Sequence, residues 1–404
     1  MAPVPDFVPF RAIRYAAGAP GVPTDVTSTC SPPYDVIEPE DRAALLAADP
    51  RNVVRLILPD AYDEAAKTFA QWRRDGVLTV GTAPTFSVYR MTFTADDGAR
   101  TTTTGVIGAL ALDEGGVLPH ERTLPKAKSD RLELLRATRA NFEPIWGISL
   151  AAGLTALLDT GGTPDARADD PDGVVHELFV VDDPERVAAI RAAVEGAGLV
   201  LADGHHRYET SCTYRDERGA GDAGAGSIMI LVVELADEQL CVRAIHRLVH
   251  GVADVDLRTA VSGSFSVHDA GPNTPAGVAA LETAMHDRGG LGLVDGRGLA
   301  LLEPLPALAD AMAALPPALH DVDSARFDAG VLPAIPGATL AYRNDARAVA
   351  AQVAKGAADA ALLLRPVGVP TIRAAAAAGV RMPEKTTFFA PKPRTGMVMR
   401  GLDD

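Results

Sequence analysis

Apolar and polar residues follow two periods along this chain, and the switches between them mark the elements. Glu38 to Ala48 reads as a helix entered through Pro39 in its first turn. Asp63 to Asp75 keeps a helical spacing, with Ala66, Phe69, Ala70 and Trp72 on one side. Phe86 to Phe93 and Thr101 to Leu112 read as an antiparallel pair, with Asp97-Gly98 in the turn. Asn52 to Pro59 is an apolar run stopped by proline, which predicts a buried strand. Ser31-Pro32-Pro33-Tyr34-Asp35 is a stiff turn, because two prolines forbid both helix and central strand.

The middle of the chain switches repeatedly. Helices are expected at Asp130 to Ala140, at Pro184 to Ala197 and at His206 to Arg218. Asp183 is placed to cap the second of these, with Gly198 at its end. Strands are expected at Ile145 to Leu150, Leu199 to Ala202 and Ile228 to Glu234. Residues 159–174 are rich in Gly, Asp and Pro and read as a surface loop, and Gly219 to Gly226 as a flexible one. Beyond residue 250, Asp345 to Lys355 and Thr371 to Ala378 read as helices flanking a strand at Ala360 to Leu364. Gly379 suits a helix terminator, and the proline-punctuated tail from Met382 to Pro393 cannot be one helix. This mixture predicts an α/β (mixed α+β) protein.

Composition narrows the class. The 404 residues suit two or three domains. The apolar fraction is 47% and the charged fraction 23%, as in folded globular chains. Cys30, Cys212 and Cys241 are odd in number and far apart, which points to a reducing compartment without a disulfide framework. No signal peptide and no membrane-length apolar run stand out, so a cytoplasmic location is expected. The net charge of -15 argues against broad nucleic-acid contact.

Candidate chemistry gathers at Asp203-Gly204-His205-His206-Arg207, where an apolar strand runs into a glycine turn and then a helix. Glycine allows the sharp turn and close backbone approach. The first amides of a helix have no acceptor within it, and the helix dipole favours an anion there. Arg207 offers a fork to phosphate or carboxylate, the histidines add donors, and Asp203 can hold magnesium or take a proton. A plainer reading makes Asp203 a helix cap with packed or solvated histidines. A second constellation is Leu118-Pro119-His120-Glu121-Arg122-Thr123, where Arg122 keeps Glu121 ionised and suited to act as a base. Its plain alternative is a surface ion pair.

Local charge points to a small anion. Arg122 to Arg139 holds six basic residues against two acidic ones, +4. Arg381 to Arg400 holds five against one, again +4, and includes Lys385 and Lys392. Positive pockets in an acidic chain suit a small anion rather than a polymer, although either segment can also be a solvated face. Zinc held by His120, Glu121, His205 and His206 is a further reading, but adjacent histidines rarely chelate one ion. No G-x-S-x-G elbow is present for serine hydrolysis.

These residues carry two resemblances. Pro9-Phe10-Arg11-Ala12, Pro32 to Ile37, Asn52 to Pro59, Leu118 to Thr123, Arg136 to Pro144, Ala202 to Thr210, His246 to Val249 and Met382 to Gly396 resemble, in order, the domain-of-unknown-function family 1015. Pro119-His120-Glu121, then a helix, Pro144-Ile145 and Val200 to Arg207 also resemble the ParB/sulfiredoxin-like fold, and within it the free serine kinases. The chain departs from that order by a long insert between Pro144 and Asp203.

The second resemblance implies a ParB/sulfiredoxin-like core at 105–250, between family-specific α/β regions at 1–104 and 251–404. It implies a kinase moving a phosphoryl group from ATP or ADP to a hydroxyl, with free L-serine the first candidate and magnesium as cofactor. Glu121 would be the base, with Asp203 and His206 beside it in the chemistry. Gly204, His205 and Arg207 would hold phosphate. The basic tail has no counterpart in the resemblance, so Lys385 and Lys392 are expected to face substrate or anion on local charge alone, as are His120 and Arg122 beside Glu121. The expected partners are nucleotide and small substrate, with no membrane. Alternatives are a nucleotide-binding regulator of the ParB-like superfamily and a metal-dependent hydrolase.

Overall fold

The computed structural model describes residues 5–18, 21–96, 98–112, 118–119 and 128–404, with the backbone alone at 118–119 and 128–129. The chain divides into two compact units. Of the described residues, one unit comprises those up to 241 together with 391–404, and the other residues 242–390.

The first unit is built on a ten-stranded mixed sheet. The strands run in the order Thr24–Asp25, Ala166–Asp169, Val175–Val181, Phe86–Thr94, Arg100–Ala111, Ser227–Glu234, Ile145–Ser149, Leu199–Asp203 and Leu118–Pro119, with Phe7–Val8 paired to Arg100–Ala111. Ile145–Ser149 lies parallel to Ser227–Glu234 and antiparallel to Leu199–Asp203. Strands buried on both faces read as continuous apolar runs, and Ser227–Glu234 is one, with Ile228 to Val233 all buried. Ile145, Leu199, Leu201, Ile230 and Val232 join one core. Each such side chain contributes about 1.5–3 kcal/mol on burial, so the strands around Leu199–Asp203 are firmly held.

A small antiparallel sheet orders Leu78–Val80, Ala12–Tyr15, Met399–Gly401 and Ala140–Asn141. It ties residues near both ends of the chain into this unit and leaves Phe142-Glu143-Pro144 leading into the strand Ile145–Ser149.

The second unit holds a six-stranded antiparallel sheet in the order Phe265–Gly271, Gly298–Pro304, Leu291–Asp295, Ala360–Leu363, His246–His250 and Thr339–Arg343. Helices Pro275–Arg288 and Ala346–Ala354 cover it through Val278, Leu281, Met285, Val349 and Ala350.

Most expected elements are present, with helices at Pro39–Ala48, Tyr62–Arg74, Lys128–Thr138, Pro184–Glu195 and His205–Arg218. Three expectations change. Asn52 to Pro59 is not a strand; Val54–Ile57 forms one helical turn. The Asn52 side chain accepts from the Val54 amide at 2.9 Å and donates to the Ser28 and Cys30 carbonyls, which starts the turn and pins it. The segment 159–174 is not all loop. Ala166–Asp169 pairs with Val175–Val181, burying Ala166 and Ala168. The helix from Pro184 ends on a Gly196 cap rather than at Gly198, while Asp183 caps its start through the Arg186 amide. Among the described residues, no helix is long and apolar enough to cross a membrane.

Candidate functional site

The strand Leu199–Asp203 delivers the site. Its register against Ile145–Ser149 shifts between Leu201 and Asp203. Such irregularities re-aim side chains, and this one comes where the strand ends at Asp203. Gly204 follows with φ 88 and ψ 26, a left-handed conformation that turns the chain straight into the helix His205–Arg218. A Cβ at residue 204 would lie 2.6 Å from Ile145 Cγ2, so space and backbone both require glycine. His205 and His206 take the first two helical positions, half-buried, and the Tyr208 amide closes on the Gly204 carbonyl at 2.9 Å.

Arg207 folds back on the turn. Its guanidinium donates to the Pro144 carbonyl at 2.8 Å and to Asp203 Oδ2 at 3.0 Å, and stands 3.6 Å from Glu143 Oε1. The Lys392 ammonium is ion-paired with Asp203 Oδ1. Thr395 Oγ1 donates to Glu143 Oε2 at 3.0 Å. Arg131 stacks over Tyr34, with its guanidinium carbon 4.2 Å from the ring centroid.

The electrostatics are those of a tight, nearly balanced cluster. Burial opposes ionisation of Asp203, but Lys392 and Arg207 overcome it and hold the carboxyl at about 2. Burial pushes Glu143 up, with Arg207 opposing it. Burial also pushes the Tyr34 phenol to about 12. For Arg207, Glu143 and Asp203 outweigh the cost of burial and raise the guanidinium above its ordinary value. Behind Arg207 lies a cavity of about 60 Å³, lined in part by Arg131, Asn141, Glu143, Thr210 and Ser211. That space suits a few waters and not a nucleotide.

Of the residues singled out from sequence, the structure brings Asp203, Gly204, His205, His206, Arg207 and Lys392 together. His120, Glu121 and Arg122 lie outside the described residues. Lys385 belongs to the second unit, where its carbonyl accepts from Arg247 at 2.8 Å. Sequence reasoning missed Glu143, Tyr34 and Thr395. The available signal was a single acid between Phe142 and Pro144, in a chain segment otherwise apolar up to Ile148. Among the described residues, no group of three or more His, Cys, Asp and Glu side chains is arranged to hold a metal ion. Both Asp203 oxygens are engaged by cations, so Asp203 does not fit a magnesium ligand in this arrangement.

This α/β chain belongs to the family described as "Protein of unknown function (DUF1015)", which matches residues 7–321. No curated protein matches the sequence significantly. Among solved structures, a conserved hypothetical protein from Pyrococcus furiosus is 14% identical with a TM-score of 0.39, over 73% of this chain and 95% of that one. A free serine kinase in complex with AMP is 14% identical with a TM-score of 0.37, over 72% and 91% of the two chains. A mutant free serine kinase in complex with ADP is 14% identical with a TM-score of 0.37, over 74% and 94%.

Proposed function

We propose that this chain is a small-molecule kinase that binds the phosphates of ATP or ADP at the Gly204 turn and transfers the terminal phosphoryl group to a hydroxyl, with free L-serine the first acceptor to test. The observation that carries the reading is the meeting of three features at one point. A strand-glycine-helix turn ends in the start of a fourteen-residue helix. Lys392 and Arg207 converge on it. His205 and His206 occupy its first helical positions. Helix starts and charged forks are the usual means of holding phosphate.

In the reaction, the acceptor oxygen attacks the terminal phosphorus. The bond from that phosphorus to the bridging oxygen of the nucleotide breaks, and the acceptor proton passes to Glu121. The products are a phosphomonoester and a nucleotide shortened by one phosphoryl group. Phosphoryl transfer needs mainly positioning and charge neutralisation. Lys392 and Arg207 supply charge, while Gly204 and the helix start position the phosphates. Glu121 enters through the Pro119-His120-Glu121 resemblance, whereas His206 in the chemistry and His120 and Arg122 at the acceptor are assigned on residue type and local charge. Magnesium, where used, would arrive on the nucleotide, and no step is assigned to it.

Phosphorus NMR with ATP or ADP and magnesium, with and without L-serine, tests this reading. A phosphomonoester signal that requires serine is expected, and Glu121→Gln should abolish it while sparing nucleotide binding. Turnover by Glu121→Gln at the wild-type rate would remove Glu121 as the base. Nucleotide binding without transfer to any alcohol would move the function to a nucleotide-responsive regulator.

A further inference from the structure

The second unit carries a pocket of about 530 Å³, within the range of small-molecule sites. Its lining comes from Ala311 in the helix Pro306–Met312 and Leu315 after it, from the helix Asp323–Gly330, from the strand Thr339–Arg343 and from residues 381–384.

Arg247 organises one wall and is only 2% exposed. Its guanidinium carbon lies 5.7 Å from the Phe327 ring centroid and 5.5 Å from that of Tyr342. It donates to the Lys385 carbonyl at 2.8 Å and the Glu384 carbonyl at 3.1 Å. Those bonds fix a backbone in which Lys385 adopts φ 54, uncommon outside glycine, and so set Glu384 into the wall.

The rest of the lining separates by chemistry. Leu315, Leu319 and Leu340 give an apolar side. Arg381, Asp328 and Glu384 give a charged side, with Arg381 and Asp328 exposed. Burial pushes the Tyr342 phenol up, with Arg247 opposing and Glu384 and Asp328 reinforcing. All three charges therefore act on one hydroxyl in the wall. Two cations and two carboxylates border a single small space. A ligand with one charge meets repulsion from one of these pairs, whereas a compact zwitterion meets a complement for each end. The apolar side then selects the remainder of the molecule.

We propose that this pocket binds a free α-amino acid with an apolar side chain. Arg381 receives the carboxylate, Asp328 and Glu384 receive the ammonium, and the leucines cover the side chain. The proposal stands independently of the kinase reading.

Titration calorimetry on the full chain tests it, with L-leucine and L-phenylalanine as ligands. The controls are 4-methylpentanoate, which lacks the ammonium of leucine, and isopentylamine, which lacks its carboxylate. The amino acids should bind at least about tenfold more tightly than either control, the equivalent of about 1.4 kcal/mol. Ala314→Trp, which places bulk at an exposed position on the rim, and Arg381→Gln, at an exposed side chain, should each weaken leucine by about tenfold with the thermal midpoint of the unliganded protein unchanged. The proposal is overturned if neither amino acid binds, if a singly charged control binds as well, or if both variants bind leucine like the wild type.

Discussion

Lys392 pairs with Asp203 from 189 residues away in the sequence. The contact exists because Met399–Gly401 and Ala12–Tyr15 share a small sheet that brings the end of the chain into the first unit. In the proposed function, the phosphates of the nucleotide compete with Asp203 for that ammonium.

Replacing Lys392 therefore tests two links at once. In Lys392→Met, Asp203 keeps its ion pair with Arg207 but loses the one with the ammonium, and the folded state should lose roughly 1–3 kcal/mol, the cost of a partly buried group that loses a partner. Affinity for a fluorescent ADP analogue should fall at least about tenfold. Urea titration checks the first effect and fluorescence anisotropy the second. A folded variant with unchanged nucleotide affinity would remove Lys392 from the phosphate site.

Gly204→Ala should be costly for two separable reasons. The φ of 88 is strained for an L-residue, by about 1–2 kcal/mol, and the new Cβ would press on Ile145 Cγ2 at 2.6 Å. The expected result is a lower unfolding midpoint together with lost nucleotide binding. A variant with wild-type stability would contradict the geometry of the turn.

Two groups make acid stability legible residue by residue. Asp203 has a folded value of about 2, below its ordinary 3.8. Its contribution is present above pH 3.8 and fades as pH falls towards 2. His246 sits in the second unit and accepts from the Leu364 amide at 3.2 Å. Burial, then Arg247, lower it from 6.5 to about 4. As pH falls below 6.5 the unfolded chain takes up the proton first, so stability declines between about pH 6.5 and 4, by about 3 kcal/mol at most. In urea titrations across pH, Asp203→Asn should flatten the lower window and His246→Gln the upper one. Unchanged slopes in both variants would contradict these assignments.

A buried chain of polar groups secures the segment that carries Lys392. The Arg394 amide donates to the Tyr89 hydroxyl at 2.9 Å, and that hydroxyl is hydrogen-bonded to His176 Nδ1 at 2.9 Å. His176 Nε2 is hydrogen-bonded to Asp170 Oδ2 at 3.1 Å, while Asp170 Oδ1 pairs with Arg394 Nε at 2.9 Å. Tyr89→Phe removes the central hydroxyl and should cost roughly 1–3 kcal/mol. Differential scanning calorimetry should show a lower midpoint, and an unchanged one would mean that the chain of bonds contributes nothing.

The turn from Leu199 to Arg218 was legible because its signals are local. An apolar strand, one glycine and a helix adjoin in sequence. Glu143 and Thr395 escaped because the small sheet and the Ser31–Thr395 bridge assemble their contacts from distant segments. Val54–Ile57 read as a strand because its apolar run lacks period, and the Asn52 side chain, rather than residue preference, turns it into a helical turn. The strand Ala166–Asp169 hid among turn formers because only Ala166 and Ala168 bury there, and alanine is a weak apolar signal.

The most direct test of the account is calorimetric titration of ATP and ADP, with magnesium, into the full chain and into Gly204→Ala. The account predicts saturable binding to the wild-type protein and none to the variant, with circular dichroism confirming that the variant is folded. Absence of binding to the wild-type protein, or equal binding to both, would contradict the assignment of the Asp203–Arg207 turn as the phosphate site.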